Sequence, residues 1–83
     1  MDTLPTNGVL TRVLADEVAS ALHKLPTASS SQPQTMQADA HASLLRGDVR
    51  ITFRLNSHKR GKSLHYFWSA FYAELLSSGQ QNS

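Results

Sequence analysis

No cysteine occurs anywhere in this chain. That excludes a disulfide framework, a thiolate-held metal and a thiol nucleophile, and it leans toward a reducing compartment. Long hydrophobic runs are also missing. No uncharged apolar stretch approaches the ~18 residues that a membrane span needs, and the longest candidate, Leu64–Ala73, is followed at once by Glu74. The N-terminal segment has no basic stretch leading into an apolar one, so it does not read as a secretory signal. The expectation is a cytoplasmic or nuclear protein, not a secreted one, with no membrane partner.

At 83 residues there is room for one small domain. A domain of this size buries only about 60% of the surface its unfolded chain exposes. Self-association, as a homodimer, is therefore expected to supply buried area.

Acids are scarce where bases collect. From Arg46 to Lys62 there are six bases (Arg46, Arg50, Arg54, Lys59, Arg60, Lys62) against one acid, Asp48. After Lys62 the only acid is Glu74. The formal net charge is only +2, but this clustering concentrates positive potential far more than the total suggests.

Val49–Leu55 carries the clearest pattern. Val49, Ile51, Phe53 and Leu55 alternate with Arg50, Thr52 and Arg54, which is the period of a strand with one buried and one polar face. Upstream, Leu10, Val13, Leu14, Val18, Ala21, Leu22 and Leu25 recur at helical spacing. They predict one amphipathic helix over about 8–24, capped by Thr6 or Asn7 and ended by Pro26. Residues 26–37 are a Pro/Ser/Thr/Gln tract, read as a flexible linker. Residues 38–46 read as a short helix or turn, or as one arm of a hairpin turning at Gly47-Asp48. Leu64, Phe67, Trp68, Phe71, Tyr72 and Leu75 then give a helical stripe, predicting an aromatic-rich C-terminal helix over about 62–76.

The expected fold is α+β. An N-terminal helix (1–25) and a linker (26–37) precede a strand-loop-helix core (38–78) containing a short antiparallel hairpin or an intermolecular strand pair. A frayed tail (79–83) follows.

Arg60-Gly61-Lys62-Ser63 matches the end of the phosphate-binding loop of nucleotide hydrolases, but Asn56 stands where its leading glycine belongs. Nucleotide hydrolysis is excluded on that ground, and because the chain has no room for the sheet such enzymes use. Gly61-Lys62 before a helix would still offer backbone N–H groups and a positive dipole end to an anion, with Ser63 as cap. The order strand, basic glycine-containing loop, helix resembles the C-terminal half of double-stranded-RNA-binding domains. Where that family carries a lysine cluster in the first helical turn, this chain has Leu64, His65, Tyr66, Phe67 and Trp68, so membership is not assigned. His23, His41, His58 and His65 lack metal spacing, and no catalytic serine–histidine–acid set is evident. No cofactor is implied.

The function read from these patterns is non-enzymatic nucleic-acid binding, RNA or DNA. Arg46, Arg50, Arg54, Lys59, Arg60, Lys62 and Ser63 would hold phosphates. The second reading is a protein-interaction module, an adaptor, inhibitor or subunit that recognises an acidic protein surface or docks through Phe67, Trp68, Phe71 and Tyr72.

Overall fold

The alternation in Val49–Leu55 seeds the structure. In the computed structural model, which describes residues 6–78, it lies inside a long central strand. The tail read as frayed, 79–83, lies outside the described residues, as do residues 1–5. Three strands, β1 (Thr35–Ala42), β2 (Gly47–Arg60) and β3 (Ser63–Ser78), form an antiparallel meander in the order β1-β2-β3. Two short helices, α1 (Thr6–Leu10) and α2 (Ala15–Leu22), supply the other layer: α1 packs on β3 and α2 on β1.

The core lies between these layers. Val49, Ile51 and Phe53 of β2 are fully buried or nearly so, beside Ala38, Ala40 and Ala42 of β1 and Ala73 of β3. From the helical layer come Val13 and Ala21. Alanine at three alternate positions of β1 leaves space for α2 to approach the sheet closely, with Ala21 against it. The other sheet face is open and polar, with Arg50, Thr52 and Arg54 flanked by Gln37, Asp39 and His41. Gln37 Nε2 donates to the buried Thr52 hydroxyl at 3.2 Å.

Several expectations are corrected. The C-terminal segment is not a helix: Ser63–Ser78 pairs with β2 along its whole length. Gly61 explains this. Its φ is +61°, while Lys62 keeps a negative φ. Positive φ at the first central residue alone is the pattern of a type II′ turn, whose twist matches that of a hairpin. Arg60 pairs with Ser63, so the turn is tight and no helix can start there. With the helix goes the element order that resembled a double-stranded-RNA-binding domain. A Cβ at position 61 would meet nothing within 4 Å, so the cost of a side chain is conformational. Gly61→Ala should cost about 1–2 kcal/mol, read as a lower melting temperature by roughly 4–8 °C per kcal/mol.

The single N-terminal helix is also overturned. It breaks at Thr11–Leu14, where Thr11 Oγ1 donates to the Gly8 carbonyl and Leu14 adopts an extended ψ of 156°. The break turns Val13 into the core and lets two short helices follow the curved sheet, which one straight rod would not. Residues 38–46 are mostly strand. The ladder joins Thr35–Ala42 to Gly47–Arg54 across a 3₁₀ turn at Ser43–Leu45, not across Gly47-Asp48. The connector before β1 is tied down: Trp68 Nε1 donates to the Pro26 carbonyl at 2.9 Å, and Leu55 N to the Gln34 carbonyl at 2.8 Å.

Glu17 joins the helical layer to the β1–β2 turn. Its Oε1 accepts from the Leu14 N–H, and its Oε2 accepts from both the Ser43 N–H and hydroxyl, at 2.8–3.1 Å. These bonds, led by the Leu14 N–H, hold its carboxyl below the ordinary value of 4.5. A lowered carboxyl pKa stabilises the fold fully above the unfolded value, and that contribution disappears as pH falls through the folded one. Glu17→Gln should therefore melt below the native chain at neutral pH. The gap should close as pH drops below 4.5, as thermal scans across that range would record.

Candidate nucleic-acid interface

β1 begins beside Arg54, and the connector before it still reaches Leu55 and Trp68, so β2 and β3 continue alone over Asn56–Arg60 and Ser63–Phe67 as a two-stranded arm. The molecule is accordingly long, 54 × 27 × 20 Å. Lys59, Arg60, Gly61, Lys62 and Ser63 form the tip of the arm, and all are exposed. From Val49 to Ala73 the chain has no acid, so nothing on the arm itself answers its three bases.

The six bases read from the sequence do not form one patch. Arg46 sits at the far end of β2, in left-handed conformation with φ 53°, closing the 3₁₀ turn. At about 3.3 Å per residue it is roughly 46 Å from Arg60 along the strand. Arg50 is half-buried on the open sheet face and bound to Asp39, with Nε–Oδ1 at 3.0 Å. The hydrogen bond to Asp39, then its charge, raises the Arg50 pKa, and Glu74 opposite on β3 adds to this. Its charge is already met within the chain. Arg54 lies farther toward the arm on the same face, exposed, with its guanidinium 5.0 Å from the centre of the Phe71 ring. That contact orients the group without neutralising it.

The structure therefore brings together Lys59, Arg60 and Lys62, with Arg54 at the arm's base, and separates Arg46 and Arg50 from them. Ser63 closes the hairpin opposite Arg60, and no helix starts there. The aromatic set divides. Trp68 turns toward the helical layer, Phe67 and Phe71 are exposed, and Tyr72 is half-buried with its hydroxyl 3.4 Å from Glu74 Oε1.

Sequence reading did not bring His58 and His65 together. They are cross-strand partners on the arm, on the same face as Arg54 and Arg60. The two-residue Gly61-Lys62 turn was the signal that would have paired them. Asn56 braces the arm's base, its Nδ2 donating to the Arg54 carbonyl and the Ser69 hydroxyl. Among the described residues no group of three or more metal-ligating side chains comes together, and no helix is long and apolar enough to cross a membrane. Comparison with protein-family models, with curated proteins and with solved structures found no match.

Proposed function

We propose that this protein is a non-enzymatic nucleic-acid binder whose arm contacts the phosphates of RNA or DNA. One observation carries the reading: the Gly61-Lys62 turn gathers Lys59, Arg60 and Lys62 at the exposed end of a ribbon in a stretch with no acid. A two-stranded ribbon is narrow enough to enter a major groove or lie along a backbone. With three or four bases and no built pocket for a base edge, the contacts are to phosphate and largely independent of sequence.

Phosphate binding of this kind releases counterions. Three to four contacts on duplex DNA give a log–log salt slope of roughly −2.7 to −3.6, or a loss of roughly 40- to 150-fold in affinity between about 50 and 200 mM salt. Fluorescence anisotropy with labelled duplex and single-stranded RNA and DNA tests this. Absence of binding at low salt, or binding indifferent to salt, contradicts the reading. A protein-interaction role is the second reading, favoured by the exposed apolar side chains of β3, Leu64, Phe67, Phe71, Leu75 and Leu76.

A further inference from the structure

Among the described residues, β3 is hydrogen-bonded on one side only, to β2, and no other backbone group reaches its far edge. The opposite edge of the sheet is guarded: β1 is half the length of β3, and Lys24 Nζ donates to the Asp39 carbonyl there. Proteins protect free edges with lysine, proline, brevity or bulges. β3 has no lysine or proline and is long, and its two bulges, at Phe71 and Leu76, leave Ser63–Ala70 an unbroken edge. It runs for 16 residues without lysine, arginine or proline, and Glu74 is its only acid and His65 its only histidine. Five large apolar side chains on it are between 38% and 54% exposed.

We propose that β3 is a dimer interface, pairing antiparallel with β3 of a second copy about a two-fold axis at Ser69 to make one six-stranded sheet. The register follows from the ladder with β2. Thr52 faces Tyr72 and Phe53 faces Ala70, so Phe71 is an extra, bulged residue; Leu76 is another, between Leu75 and Ser77. With the bulges set aside, residues sharing a face can be matched about Ser69. Leu64 meets Leu75 of the second copy, His65 meets Glu74, Tyr66 meets Ala73, Phe67 meets Tyr72, and Trp68 meets Ala70.

Every pair lies on a common face of the joined sheet, and each occurs twice. An imidazole faces a carboxylate, and the bulkiest ring faces alanine. Moving the axis one ladder step either way loses this. It sets Glu74 against Phe67 in one direction, or Trp68 against itself in the other. A strand from an unrelated chain has no such matching built in.

The arm supplies a second reason. Its two strands have no third neighbour among the described residues, and an isolated two-stranded ribbon is marginal in water. The second copy lays residues 70–77 along Ser63–Trp68 and gives each arm the strand it lacks. The two basic turns then lie at opposite ends of the sheet, about 45 Å apart, with their tips uncovered.

Light scattering should give twice the 9.1 kDa chain mass. Because the chain has no cysteine, a single introduced thiol reports the register. Two residues directly opposite in an antiparallel pair have Cα atoms about 4.5–5.5 Å apart, within disulfide range. Ser69→Cys should therefore oxidise to a reducible covalent dimer, and Ser57→Cys on the central strand should not. Phe67→Lys should return the chain to a folded monomer by placing a charge within the pairing. A monomeric native chain at high concentration overturns the proposal. So does a dimer in which the Ser69→Cys variant keeps its thiol reduced, or equal cross-linking at positions 57 and 69. Because mass and cross-linking are read without nucleic acid, failure here is distinct from failure of polyanion binding.

Discussion

Reversing the three charges at the arm's tip, Lys59→Glu/Arg60→Glu/Lys62→Glu, should lower affinity for RNA and DNA by roughly 100-fold or more at low salt. It should also flatten the salt slope by roughly three. All three side chains are exposed at a turn that buries nothing, so thermal unfolding should hardly change. The informative contrast is Arg50→Gln. Arg50 is bound to Asp39 and faces Glu74. Its loss should leave affinity nearly unchanged and cost a little stability, as for other partly exposed ion pairs. Arg46→Ala, at the far end of β2, should leave binding unchanged too. Anisotropy titrations of the three variants separate a basic arm from a diffuse effect of net charge. Equal losses in all three would mean that position along the strand does not matter.

The second large effect is on folding. Phe53→Ala should cost about 3–5 kcal/mol. Among the described residues Phe53, 1% exposed, is the largest fully buried side chain, in a core where five of nine buried apolar residues are alanine. Few neighbours are able to close over the void. Total stability at ~0.05–0.15 kcal/mol per residue is only roughly 4–12 kcal/mol for a chain of this length. The variant should lose most of its cooperative transition in urea or on heating. Leu44→Ala, at a side chain 62% exposed, should change stability by less than about 0.5 kcal/mol. Comparable losses at the two positions would mean that the sheet's inner face is not the core.

The strand at Val49–Leu55 was legible because its alternation is unbroken. β3 was not, and the bulges are the reason. Leu64, Tyr66, Trp68 and Ala70 share the sheet face that carries the core, but after the bulge at Phe71 the positions on that face become Ala73 and Leu75. The parity switches, and the bulged residues are themselves apolar. The sum is an apolar set spaced three and four apart, which imitates a helix. Aromatic residues favour a pleated surface, and Gly61 was better placed as a hairpin residue than as a helix entry.

Ala38, Ala40 and Ala42 alternate as strand residues do, but alanine is the strongest helix former, so their pattern carries little strand signal. In the N-terminal segment Leu10, Val13, Val18, Ala21 and Leu25 do pack toward the core while Leu14 and Leu22 stay exposed, and nothing in the spacing marks the break at Thr11–Leu14. For the candidate site, the residue types were readable and their grouping was not. Which bases meet depends on where β1 begins and where Asp39 falls across from Arg50, and both are properties of register.

The central claim is that the exposed bend between β2 and β3, and not the whole basic run, meets phosphate. Amide chemical shifts followed by NMR while a short RNA duplex is added test it residue by residue. Movement confined to Arg54 and Lys59–Ser63, with Arg46 and Arg50 still, is the expected result. Movement centred on Arg46 and Arg50, or none at all, contradicts it.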